Sequence, residues 1–205
     1  MNVAIIGSGS WATALAKIIM HNTMDISWHI RRQEVIDEFI EIRRNPNHLE
    51  WAYFDVSRIH FSADINTVIE ESDLIILAIP SPYLKQSLND IRVDMSQKML
   101  ISAVKGMIPD ENLLVTEYMH QYFQVPKENL GVIAGPCHAE EIALERLSYL
   151  TVGCKDMQKA IEWSKLFDTP YVRTTPSNDV EGLEYASVMK NIYAIAAGIC
   201  KSLHY

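Results

Sequence analysis

The sequence predicts an α/β domain built on a doubly wound, mainly parallel sheet, with the opening of a second domain behind it. Three observations predict it. Short β-branched runs alternate with segments of helical period, the order that lays parallel strands beneath crossover helices. The run LIILAIP (residues 74–80) is apolar throughout, as suits a strand covered on both faces. Near residue 178 the alternation stops, and one long helical segment rich in small residues takes over.

VAII (3–6) is the first strand and WATALAKIIMHN (11–22) the helix after it. ISWHI (26–30) is the second strand and leads into QEVIDEFIEIRR (33–44), whose apolar residues recur at helical spacing. After a less regular stretch, NTVIEESD (66–73) runs into LIILAIP. MLISAV (99–104), GVIAG (131–135) and YLTVG (149–153) are later strands, separated by EYMHQYF (117–123) and HAEEIALERL (138–147) as helices. YVRTT (171–175) closes the series, and Thr175-Pro176-Ser177-Asn178 supplies a break. From Asp179 onward, EGLEYASVMKNIYAIAAGICKSL (181–203) reads as a single helix. Residues 1–178 are therefore expected to form the sheet domain. Residues 179–205 form the first helix of a second domain, because so short a stretch cannot bury a core of its own.

Of the 205 residues, 48% are hydrophobic and 21% charged, the balance of a soluble globular protein. A formal net charge of −8 excludes a general nucleic-acid surface, which needs a basic face. Cys137, Cys154 and Cys200 lack CxxC spacing and read as reduced thiols. The amino terminus carries no basic leader, and IYAIAAGIC (192–200) is too short to span a bilayer. A cytoplasmic protein without stable membrane insertion is expected. Histidines and cysteines show no ligand spacing, so no metal is expected.

Between the first strand and its helix stands GSGSWATALA (7–16), where Gly7, Gly9 and Ala12 fit G-x-G-x-x-G/A. The first position permits a tight turn off the strand. The second lets the backbone approach a pyrophosphate, and the third keeps helix and sheet close. The helix then points its free N–H groups at the phosphates. The plain alternative is a glycine turn that serves the fold alone, but the strand before and the helix after favour a dinucleotide. NAD-specific sites usually carry Asp or Glu at the end of the second strand. Here Arg31 and Arg32 stand there, and the first carboxylate is Glu34. Paired arginines suit a 2′-phosphate, so the expected cofactor is NADP or NAD, with a lean towards NADP. Two solvated arginines opening a surface helix are the alternative.

In such sheets ligands lie beyond the carboxyl ends of the strands. Lys105 directly follows MLISAV. Gly135 and Pro136 end another strand and open a helix whose first turn exposes amides near Cys137, His138 and Ala139. Lys190 lies within the long helix, on a face it shares with Leu183, Ala186, Ser187, Tyr193, Ala194 and Ala197. It either faces a cleft or snorkels from an edge. In a cleft, burial and a neighbouring Lys105 would lower its pKa and suit it to proton exchange near neutrality. Asn191 beside it offers an amide to a substrate oxygen.

Six segments stand in order and at separations that resemble the bacterial-type NAD(P)-dependent glycerol-3-phosphate dehydrogenases. They are GSGSWATALA, Trp28 to Arg32, AIPS (78–81), AVKG (103–106), AGPCHAEE (134–141) and VMKNIYAIAAG (188–198). The resemblance covers essentially the whole chain. It implies a Rossmann-type first domain and an all-helical second one. It also implies interconversion of glycerone phosphate and sn-glycerol 3-phosphate for glycerophospholipid synthesis. In that resemblance Lys190 is the proton donor and acceptor, and Lys105 contacts both substrate and cofactor. Ser10, Trp11, Arg31, Arg32 and Ala139 fall on the cofactor side. Gly135 and Cys137 fall on the substrate side. Cys137 replaces the usual serine or threonine, and Ala12 the usual glycine. The implied partner is a small phosphate-bearing molecule, and a homodimer stays open. The family's helical domain continues past the equivalent of Tyr205 and grips the substrate phosphate, so this chain is expected to be a fragment without that site. Two other readings stay open: a related two-domain hydroxy-acid dehydrogenase, and an NAD(P)-binding module without catalysis.

Overall fold

The computed structural model describes residues 1–203. Its strands are β1 (Val3–Ile6), β2 (Ile26–His29), β3 (Ile59–Ser62), β4 (Leu74–Leu77), β5 (Met99–Ser102), β6 (Leu130–Ala134), β7 (Ser148–Cys154) and β8 (Val172–Ser177). Between them run α1 (Ser10–Asn22), α2 (Gln33–Ile42), α3 (Ile65–Glu70), α4 (Ser81–Leu88), α5 (Val115–Phe123), α6 (Ala139–Ala143) and α7 (Met157–Phe167). A long α8 (Val180–Ser202) follows the last strand. The strands form one sheet in the order β3-β2-β1-β4-β5-β6-β7-β8. All pairs are parallel except β6 with β7. This is the expected doubly wound, Rossmann-type sheet, and its order reverses between β1 and β4.

Alternation along the strands divides the core into two layers. Val3, Ile5, Leu74 and Ile76 pack with α1, α2, α6 and α7, around Leu15, Phe39, Ile142 and Trp163. Ala4, Ile6, Ile75 and Leu77 pack with α3, α4 and α5, around Val68, Leu84 and Met119. The apolar run of β4 is therefore covered on both faces.

Three elements go beyond the sequence reading. β3 is short and only its first residue is buried, so its pattern is weak. α4 buries only Leu84 and Leu88. α7 carries a readable signal: Asp156 caps it, accepting from the Gln158 and Lys159 amides, and Ala160, Trp163, Ser164 and Phe167 form its buried stripe. Two boundaries also move. α6 stops at Ala143 rather than running to Leu147: Glu145 turns left-handed at φ +57°, and Lys17 of α1 donates to the Ala143 carbonyl at 2.8 Å and pairs with Glu145 at 2.9 Å. β8 runs through Pro176 to Ser177 instead of breaking there. It is an edge strand, where proline's missing N–H can face outward.

α8 meets the sheet only near its start. Val180 and Glu184 are its buried residues. A side chain on Gly153 of β7 would overlap Leu183, whose Cδ1 lies 2.5 Å from where a Cβ would stand. That glycine lets the helix approach. From Asn191 to Leu203 every residue is exposed, including Ile192, Tyr193, Ile195 and Ile199. No helix among the described residues is long and apolar enough to cross a membrane.

Candidate active site

The sequence places a glycine where β1 ends because the chain must reverse tightly against β4. Gly7 has φ +131°, and a Cβ there would lie 2.4 Å from the Ala78 carbonyl oxygen. No L side chain fits that conformation or that gap. Gly9 differs: nothing lies within 4 Å of where its Cβ would stand, so the space above it is open. Gly9 is also the N-cap of α1, and no side chain caps that helix. The first-turn amides and the positive end of the helix dipole therefore face an open cradle, which fits a diphosphate. Ala12, the third position of the motif, is fully buried against the sheet.

Several side chains hold the turn in place. The Trp28 indole N–H donates to the Gly7 carbonyl at 2.7 Å. The wholly buried Asn45 donates from its amide to the Ser8 carbonyl at 2.9 Å and to the Thr13 hydroxyl at 2.8 Å. Ser10 and His48 lie in hydrogen-bond contact at 3.2 Å.

Beyond the carboxyl ends of β5 and β6 opens a cleft of about 340 Å³. Trp11 of α1, Lys105 after β5, Gly135 after β6, Thr151 of β7 and Lys190 of α8 all line it. The Lys105 ammonium lies 5.0 Å from the centre of the Trp11 ring, over its face. Burial beside that ring, and then the charge of Lys190, hold the Lys105 amine below the ordinary lysine value, while Cys137 and Glu140 oppose the shift weakly. A cation–π contact of this kind contributes about 0.5–1 kcal/mol to the charged form, and burial acts against it. Two amines thus share one recess next to the dinucleotide turn.

A family model described as the NAD-dependent glycerol-3-phosphate dehydrogenase N-terminus matches residues 2–160. The chain belongs to that family. Glycerol-3-phosphate dehydrogenase (NAD(P)+) of Exiguobacterium is 30% identical over 206 residues, covering 100% of this chain and 60% of its own length. The enzyme of the same name from Bacillus subtilis is 30% identical, covering 99% and 59%. The structure of Plasmodium falciparum glycerol-3-phosphate dehydrogenase superposes with a TM-score of 0.87 at 27% identity, over 100% of this chain and 60% of that one. The chain therefore spans about 60% of the length of the curated relatives it matches.

Within this family member the residues singled out from sequence divide into three groups. Trp11, Lys105, Gly135 and Lys190 come together in the cleft. Gly7, Gly9 and Ser10 form the turn beside it, and Arg31 and Arg32 are exposed just past β2, with Arg32 3.8 Å from Glu34. Cys137, Ala139 and Asn191 do not line the cleft. The Cys137 thiol is buried and donates to the Tyr149 carbonyl at 2.9 Å, so its side chain is spent on the sheet. Ala139 is buried, and Asn191 is exposed on α8. Sequence reasoning missed Thr151, whose outward place on β7 follows from alternation between buried Leu150 and Val152. It also missed Asn45, which lies in an irregular loop and carries no pattern.

Proposed function

We propose that this chain holds NAD(P)H at the β1–α1 turn and carries the amine pair that converts glycerone phosphate to sn-glycerol 3-phosphate and back. The observation that supports this best is that Lys105 and Lys190, brought from elements 85 residues apart, line one cleft beside Trp11 and Gly135. The cofactor-binding residues would be Gly7, Gly9 and Ser10 at the diphosphate and Arg31 and Arg32 at the adenosine end, where their exposed guanidinium groups suit a 2′-phosphate. When bound, the nicotinamide supplies a hydride donor or acceptor. Lys190 holds the proton exchanged with the substrate oxygen. Lys105 orients that oxygen and stabilises negative charge on it, and the apolar walls strengthen both effects by excluding water. Residues 1–178 serve as the dinucleotide-binding unit and α8 as the first helix of a substrate-binding unit.

The test is NADPH oxidation in the presence of glycerone phosphate, with a β-hydroxy-acid or keto-acid panel as the comparison. Lys190→Ala is expected to lower turnover by at least about a thousandfold while leaving the calorimetric NADPH affinity within about twofold. Retention of most of the turnover would remove Lys190 from the chemistry. A second reading, a nucleotide-binding module without turnover, draws on the exposure of α8 from Asn191 onward. NADPH binding with no oxidation of any of these substrates would favour it.

A further inference from the structure

Glu184 is the only buried carboxylate among the described residues, 4% exposed, and it sits on the helix that carries Lys190. Its carboxylate reaches the amino end of α5. The Thr116 backbone N–H donates to one oxygen at 3.2 Å, and the Thr116 hydroxyl donates to the other. α5 has no cap of its own, because its N-cap residue is Leu114 and no side chain bonds there. Glu184 therefore satisfies an orphan amide of α5 from 68 residues away and, in its ionised form, places negative charge at the positive end of that helix.

The direction of that bond matters. Glu184 and Lys190 are separated by six residues, so their side chains leave α8 about 120° apart. One faces α5 and the other faces the cleft. The other contacts of α8 with the sheet domain are the apolar ones of Val180 and the half-buried Leu183, the solvent-exposed Glu181–Lys155 pair at 2.9 Å, and a half-buried stretch from Ser187 to Lys190; none of them is a buried, directional bond that fixes the rotation of the helix about its axis. A carboxylate bonded at both oxygens to one residue of a fixed helix is such a bond. We propose that Glu184 is a positioning residue for the amine pair: by tying α8 to the start of α5, it sets where Lys190 stands against Lys105. The catalytic consequence rests on the dehydrogenase reading above; the geometric one does not.

The experiment reads Lys105 directly. Its amine is held below the ordinary value of 10.5 by burial and then by Lys190, so its titration midpoint reports the position of Lys190. In protein labelled with 13C-lysine, the Lys105 resonance, assigned by Lys105→Arg, is followed by NMR against pH. Lys190→Ala is expected to raise the midpoint, and Glu184→Ala to raise it in the same direction by at least about half as much. Glu184→Gln, whose amide oxygen still accepts from the Thr116 amide, is expected to stay near the wild-type midpoint. Thr116→Ala loosens the tie from the other side and is expected to give a smaller rise, which covers the case that Glu184→Ala does not fold. The proposal is overturned if Lys190→Ala leaves the midpoint unchanged. It is equally overturned if Lys190→Ala raises it while folded Glu184→Ala or Thr116→Ala does not. With glycerone phosphate, Glu184→Ala should lower kcat at least about tenfold with unchanged NADPH affinity, since misplacement of a reacting group costs rate rather than cofactor binding. A wild-type chain with no turnover would sink the dehydrogenase reading, and the titration would still decide the positioning.

Discussion

The β1–α1 turn is held from several directions, whereas α8 is held from one. At the turn, Trp28 bonds Gly7, Asn45 bonds Ser8 and Thr13, and the Gly7 amide donates to the His29 carbonyl at 3.3 Å. These partners come from β2 and from the loop after α2, so two separate segments close on Gly7, Ser8 and Thr13. On α8, Val180, Leu183 and Glu184 pack on the sheet domain, Glu181 pairs with Lys155 and Ser187 to Lys190 are half-buried, and from Asn191 the helix runs exposed for more than half its length. The cofactor side of the cleft is thus set by buried, redundant contacts, while the position of Lys190 depends on the first turns of one helix. Damage at the turn should therefore spread to the whole fold, and damage along α8 should stay local.

The largest effect is expected at Gly7. Gly7→Ala forces a left-handed conformation on a residue with a Cβ and drives that atom into the Ala78 carbonyl. A loss of about 3–5 kcal/mol in denaturant unfolding is expected, together with loss of NADPH binding. A loss below about 1 kcal/mol would show that the turn is less firmly set than its contacts imply.

A middle-sized effect comes from pH acting on the tie of α8. Burial pushes the Glu184 carboxyl up from 4.5 to about 7, and Glu117 adds to the shift, while the bonds from Thr116 and the Val115 backbone oppose it. The other titratable groups on this side are His120, Lys127, Lys155, Glu181 and Tyr185, which line the neighbouring recess, with Lys155 and Glu181 paired at 2.9 Å. Because the folded-state pKa lies above the unfolded one, the folded chain keeps a proton that the unfolded chain has lost. Its contribution is complete below about pH 4.5, declines as pH rises to about 7 and then stays constant. Unfolding free energy should fall by about 3 kcal/mol across that window, and Glu184→Gln should flatten the decline. An unchanged profile in Glu184→Gln would assign the decline to other groups.

The smallest effect is expected at the far end of α8. Ile199→Glu lies on a wholly exposed stretch and should change the melting stability of this chain by no more than about 0.5 kcal/mol. A larger loss would mean that this face is covered in solution and would erase the contrast between the two regions.

Much of this contrast was legible in the residues, and the illegible part has a common cause. VAII, GSGSWATALA and LIILAIP could be read because strand alternation, glycine spacing and unbroken apolar character are local signals. Helical spacing grouped Leu183, Ala186, Ser187, Lys190 and Tyr193, which line the recess, with Ala194 and Ala197, which do not; whether that face met a cleft or an edge was not in the spacing. The ties of Asn45 to Ser8, 37 residues away, and of Glu184 to Thr116, 68 away, leave no periodic trace. A buried polar residue in an irregular loop or at the edge of a helix stripe looks like any solvated one until the partner is in view. The reversal of β7 was likewise invisible, because strand direction is a property of the connection and not of YLTVG.

The crowding of Lys105 and Lys190 has one more consequence. A recess that already makes one ammonium group reluctant to keep its proton reverses that reluctance the moment a negative guest arrives. For the anionic substrate proposed above, occupancy beyond the Lys105 midpoint is expected to couple to hydrogen-ion uptake, so an alkaline medium should weaken its hold without altering any wall of the recess.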